Sequence, residues 1–127
     1  MKALDPIRVE NSVLAGTPDV NFIGGWMELK WSKEWPKRED SIVPLDHFTP
    51  QQRVFALRRW RAGGVSLVMW TVGGVWMLFD GQTAAKILGK VPRVDLEAQA
   101  LRVWKPLDDE ALVSYLRELA QREAGLV

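Results

Sequence analysis

Three charged side chains are spaced for joint chemistry. Asp19 stands at the entrance of a β-rich stretch, and Glu28 and Lys30 follow inside Trp26-Met27-Glu28-Leu29-Lys30-Trp31. Strand alternation puts Trp26, Glu28 and Lys30 on one face and Met27, Leu29 and Trp31 on the other, the expected core face. Two carboxylates beside an ammonium make a workable Mg²⁺ site, because magnesium takes oxygen ligands and leaves room for water and phosphate. Asp19 and Glu28 would each give an oxygen and the backbone carbonyl of Leu29 a further one, with Mn²⁺ expected to substitute. The cation would activate water for attack on phosphorus. Lys30 would orient or help deprotonate that water and offset developing charge. The plainer alternative is a solvent-facing Glu28–Lys30 pair on an edge strand, of a kind worth little to stability.

These residues need a frame. Residues 20–23 and 26–31 read as a hairpin through Gly24-Gly25. Upstream, Asp5-Pro6 can open a short helix, while the alternation of Ile7 and Val9 fits a short strand equally well. Residues 11–17 form a loop in which Asn11 and Ser12 can donate to a phosphate. Downstream, Thr49-Pro50-Gln51-Gln52 is a helix start, with Thr49 as N-cap, Pro50 at the first position and Gln52 closing a capping box. That helix runs to about Ala62 and stops at Gly63-Gly64, with Gln52, Ala56 and Arg59 along one side. Residues 65–72 and 75–79 flank Gly73-Gly74 as a second hairpin, the first strand apolar enough to be central. Asp80-Gly81 reads as a turn and residues 83–88 as a short helix. Residues 91–106 read as irregular, with a helical piece over 96–101. A last helix opens after Pro106-Leu107-Asp108, and its stripe of Leu112, Tyr115, Leu116 and Leu119 docks on the body or on a second subunit.

Composition narrows the class. At 127 residues and 47% hydrophobic, the chain is long enough for one domain with a real core. The absence of cysteine excludes a disulfide scaffold and a cysteine zinc site and suits a reducing cytoplasm. The apolar stretch over residues 65–79 is broken by glycines, so no membrane span is expected. Net charge is only +1, but positive charge gathers between Lys30 and Arg61. There the long polar loop 32–47 interleaves Lys33, Trp35, Lys37 and Arg38, types that stack on bases and pair with phosphates, and Arg59 follows on the helix. Any one of these cations can equally be a solvated surface charge. Most of the seven tryptophans should be core. The single histidine, His47, receives no role.

The pattern Asp19…Glu28-x-Lys30 resembles the signature of the PD-(D/E)xK nuclease superfamily. Arg8-Val9-Glu10-Asn11 and Leu45…Thr49-Pro50-Gln51-Gln52 resemble phage nucleases of the virus-type replication-repair group, related to archaeal-type Holliday junction resolvases. The resemblance covers roughly residues 8–81. It implies an α/β fold with a restriction-endonuclease-like core, a central mixed sheet of four or five strands flanked by helices, the Asp19 and Glu28 strands central. It implies one nuclease domain over 1–127, with a catalytic core at about 8–81 and a helical C-terminal extension at 82–127. Glu10 would hold a second metal or a metal-bound water, although the helix that carries this residue in the family is expected to be short or missing here. Gln52 would reach the active site, in competition with its capping role. The activity implied is Mg²⁺-dependent cleavage of four-way DNA junctions by paired nicks from a homodimer in the cytoplasm, the host's if the source is a phage. A flap or nicking repair nuclease of the same superfamily is the second reading, and a non-catalytic DNA- or protein-binding module the third.

Overall fold

The computed structural model describes residues 7–8, 20–22 and 24–123. Among them six strands form one sheet in chain order: β1 (Ile7–Arg8), β2 (Val20–Phe22), β3 (Gly25–Ser32), β4 (Ser66–Val72), β5 (Val75–Asp80) and β6 (Arg102–Trp104). β3 and β4 pair in parallel and all other neighbours are antiparallel. The sheet is therefore mixed, with β2–β5 at its centre and the short β1 and β6 at its margins. A parallel pair needs a crossover, and residues 33–49 with helix α1 (Pro50–Arg61) supply it. Helices α2 (Gly81–Ile87), α3 (Arg93–Gln99) and α4 (Asp109–Glu123) follow.

The chemistry of each junction explains its place. In the β4–β5 turn, Gly73 and Gly74 have φ of +53° and +80°. Both central residues of that two-residue turn are left-handed, which glycine adopts without strain. At the first hairpin Phe22 pairs with Gly25, so Gly25 is the first strand residue and not part of the turn as expected. The reason lies across the sheet: a Cβ on Gly25 would stand 2.5 Å from the carbonyl oxygen of Val65. Asp80-Gly81 is likewise more than a turn. Asp80 caps α2, accepting from the Thr83 amide and from its hydroxyl, each at 2.8 Å. The expected irregular stretch after Gly89 contains α3, starting at Arg93 and ending at Gln99, and β6, whose three residues are too few to show a strand pattern. The region after residue 81 is therefore not purely helical, because β6 closes the margin of the sheet against β5.

Both faces of the sheet are packed. On one, Val68, Trp70, Val72, Met77 and Phe79 meet Val43, Phe48, Ala84, Leu88 and Leu96. On the other, Phe22, Met27, Leu67, Met69 and Leu78 meet Leu112 and Leu116 of α4. The apolar stripe of α4 thus docks on its own sheet. β4 is buried along its whole length, so the β4–β5 hairpin belongs to the core. The core face expected for β3 holds only at its start. Met27 is buried, but Leu29 is 43% and Trp31 72% exposed, beyond the cluster that α4 covers. The tryptophans also sit further out than expected: Trp70 is fully buried, Trp31 is exposed, and the other five are half-buried. Among the described residues no helix is long and apolar enough to cross a membrane.

Candidate active site

The register of β3 on β4 pairs Glu28 with Val68 and Lys30 with Trp70. Both charged residues consequently face the side covered by α1 and α2. They form an ion pair, Lys30 Nζ to Glu28 Oε1 at 3.0 Å, with side chains only 9% and 4% exposed. β3 is an inner strand, paired with β2 on one side and β4 on the other. The pair is therefore not the solvent-facing edge pair of the plainer reading.

Gln52 completes the group from above. Its start-of-helix position follows from local chemistry: Thr49 Oγ1 accepts the Gln52 amide at 3.1 Å, and Gln52 Oε1 accepts the Thr49 amide at 2.9 Å, the reciprocal capping box. The same oxygen accepts from Lys30 Nζ at 3.2 Å, while Gln52 Nε2 donates to Glu28 Oε1 at 3.0 Å. Capping and site contact were expected to compete for this side chain. They do not, because a carboxamide carries an acceptor at one corner and two donors at the other. The orientation of the amide follows from its partners, two donors facing Oε1 and a carboxylate facing Nε2.

Lys30 has one more partner, the carbonyl oxygen of His47 at 2.6 Å. An ammonium has three N–H donors. Here three acceptors surround it: Glu28 Oε1, Gln52 Oε1 and His47 O. The Phe48 ring lies 5.8 Å from the same nitrogen and 4.5 Å from the guanidinium carbon of Arg53. Arg53 donates to the carbonyls of Phe48 (3.3 Å), Ala85 (3.1 Å) and Leu88 (2.7 Å). Burial lowers the pKa of its guanidinium from the usual arginine range.

The other expected site residues divide into those brought near this group and those that are not. Leu29, whose carbonyl was expected to bind metal, lies between Glu28 and Lys30 and pairs with Met69. Asp19, Glu10, Asn11 and Ser12 lie outside the described residues. Val20, the residue after Asp19, pairs with Met27, the residue before Glu28. Among the described residues no three carboxylate or histidine side chains gather as a metal-binding group. Lys33, Lys37 and Arg38 are exposed on the crossover loop, with Arg38 paired to Asp40 at 3.2 Å. Trp35 is less open than a base-stacking role requires. It is half-buried against the core, and the Arg93 guanidinium lies 4.2 Å from its ring centre. Arg59 is exposed on α1, whereas Gln52 is half-buried and Ala56 buried.

Two members of the group were missed in the sequence. His47 contributes through its carbonyl, which no side-chain type announces. Arg53 is one of the positive charges between Lys30 and Arg61, and nothing local separates it from Arg58 or Arg59. No protein-family model, no curated protein and no solved structure matches the chain.

Proposed function

We propose that the protein is a metal-dependent phosphodiester hydrolase acting on branched DNA, with Glu28, Lys30 and Gln52 in its active site. One observation carries the proposal: a nearly buried Glu–Lys pair on an inner strand is clasped by a glutamine from the following helix. The desolvation of such a pair on burial can exceed what its attraction returns, so a gain in stability is a weak account of it. Nearly buried, paired charges of this kind concentrate at functional sites. The pattern also matches the nuclease resemblance of Asp19…Glu28-x-Lys30 and Thr49-Pro50-Gln51-Gln52.

The donor set fits a hard cation, since Glu28 and the Leu29 carbonyl offer oxygen only. In this reading they hold Mg²⁺ or Mn²⁺ together with Asp19, and Glu10 assists. The ion supplies Lewis-acid activation of water and of the phosphate. Gln52 and Lys30 fix the Glu28 carboxylate, and the Lys30 ammonium sets a positive charge beside the scissile group. The exposed cations Lys33, Lys37, Arg38 and Arg59 bind the DNA backbone. A four-way junction presents two equivalent strands, and paired nicks call for a two-fold homodimer.

The test is incubation with a four-way junction, a flap and a plain duplex, in Mg²⁺ or EDTA. Symmetric, EDTA-sensitive nicks in the junction alone are expected. Cutting of the flap or duplex would instead assign a repair nuclease of the same chemistry. Binding without cleavage under either metal would make the protein a non-catalytic module. Glu28→Gln and Asp19→Asn should abolish nicking while junction binding persists in a gel-shift assay.

A further inference from the structure

We infer that Arg53 is a positioning residue for Lys30, acting through the turn at residues 47–49. The turn is held on two sides. From β3, Lys30 Nζ reaches the His47 carbonyl at 2.6 Å. From α1, Arg53 takes the very next carbonyl, that of Phe48, and lays its guanidinium 4.5 Å from the Phe48 ring centre. The other arms of the fork reach the carbonyls of Ala85 and Leu88 at the end of α2. Those carbonyls have no successor in the helix to bond, and the end of a helix favours a cation. One planar guanidinium thereby ties the turn, the start of α1 and the end of α2 together.

Phe48 is the shared element. Its ring is 5% exposed and lies near both cations, 5.8 Å from Lys30 Nζ and 4.5 Å from the Arg53 carbon. Removing the fork frees the Phe48 carbonyl and one wall of its ring. The adjoining His47 carbonyl then loses its fixed direction, and the ammonium loses one of its three acceptors. A lysine cannot replace the fork, because an ammonium cannot reach three carbonyls in one plane. The arginine touches none of Glu28, Lys30 or Gln52 among the contacts described, and its effect is transmitted through the backbone at 47–48.

The inference bears on the site proposed above but is testable without DNA or metal. The free chain is treated with a limiting amine-acylating reagent, and modification of each lysine is followed by peptide mass spectrometry. In the wild type Lys30 should react far more slowly than the exposed Lys33, Lys37 and Lys86. Loss of a charge-assisted hydrogen bond corresponds to about tenfold, so Arg53→Met should raise Lys30 labelling by about that factor, and Arg53→Lys by less. The exposed lysines should be unchanged. Leu112→Ala, on the opposite face of the sheet, is the control: it lowers stability but should leave Lys30 labelling at the wild-type rate below its unfolding transition. If Arg53→Met fails to fold, Arg53→Lys, which keeps the charge but cannot span the three carbonyls, provides the comparison. Unchanged Lys30 labelling in every folded Arg53 variant would overturn the inference. A wild type that cuts no DNA would overturn the nuclease reading and leave this one standing.

Discussion

An ammonium whose three protons all have acceptors is tied up. To take a proton from water, Lys30 would first have to lose one proton and release Glu28, Gln52 or the His47 carbonyl. Its geometry favours a fixed positive charge over the deprotonating role also considered for it. Gln52 strengthens this, since its one oxygen serves both the helix cap and the ammonium. Buried pairs of this type are destabilising when broken and replaceable when removed whole. Lys30→Met or Glu28→Leu alone should cost about 3–5 kcal/mol, because each leaves an unpaired buried charge. The double variant should recover most of that loss and still be inactive on DNA. Urea unfolding of the four proteins gives the coupling directly. A double variant as unstable as the two losses added together would mean that the pair is not coupled. Gln52→Ala should lose about 1 kcal/mol through the cap alone, and more through the exposed partners of Glu28 and Lys30.

The elements bring these residues together through a few close approaches. α1 and α2 touch backbone to backbone: a Cβ on Gly81 would stand 2.2 Å from the carbonyl oxygen of Ala56. Gly81→Ala should therefore push α2 off α1 and cost about 1–3 kcal/mol or more, read as a lowered thermal midpoint with Glu28 and Lys30 untouched. On the other face α4 carries a probe of its own docking. Tyr115 is the only tyrosine of the chain, and its ring stacks 4.1 Å from the Arg102 guanidinium. Burial raises the phenol pKa above its usual value, Arg102 opposes this, and Glu118 and Asp80 add to it. The folded state thus favours the neutral phenol. The stability this gives is fully present below the unfolded pKa of about 10 and is lost as pH rises through the higher folded value. Tyrosinate absorbance should titrate above that value in the folded protein, and Arg102→Met should move it further up. A midpoint at or below that of the urea-unfolded chain would refute the burial argument. These elements also show what a sequence can disclose. The capping box and the Gly73-Gly74 turn were legible because their chemistry is contained in a few adjacent residues. Gly25, Arg53 and Trp31 were not, because each is decided by what lies opposite: the Val65 carbonyl, the end of α2, and the limit of α4. Glu28 and Lys30 were placed on the correct face by alternation alone, but their burial depended on α1 lying over them.

At the scale of the whole chain, the split expected between a catalytic core at about 8–81 and a helical extension at 82–127 does not match how the core is shared. Leu88 and Leu96 fill the face that carries Glu28 and Lys30, and Leu112 and Leu116 fill the other; all four are essentially inaccessible to solvent. Fully burying a leucine contributes about 1.5–3 kcal/mol, so these four together rival the roughly 5–15 kcal/mol by which a domain of this size is stable. The same region supplies β6, which covers the outer edge of β5, and the Ala85 and Leu88 carbonyls that hold Arg53. A chain ending at residue 81 would expose the β5 edge and both apolar faces, a combination that favours aggregation over folding. The expected outcome is a fragment with no cooperative urea transition and no near-ultraviolet tryptophan circular dichroism, although every residue of the proposed site from Asp19 to Gln52 is still present. The full chain should show both. A fragment that unfolds cooperatively at the midpoint of the full chain would establish the extension as an accessory. A fragment without that transition makes residues 82–127 part of the scaffold on which the Glu28–Lys30–Gln52 group depends.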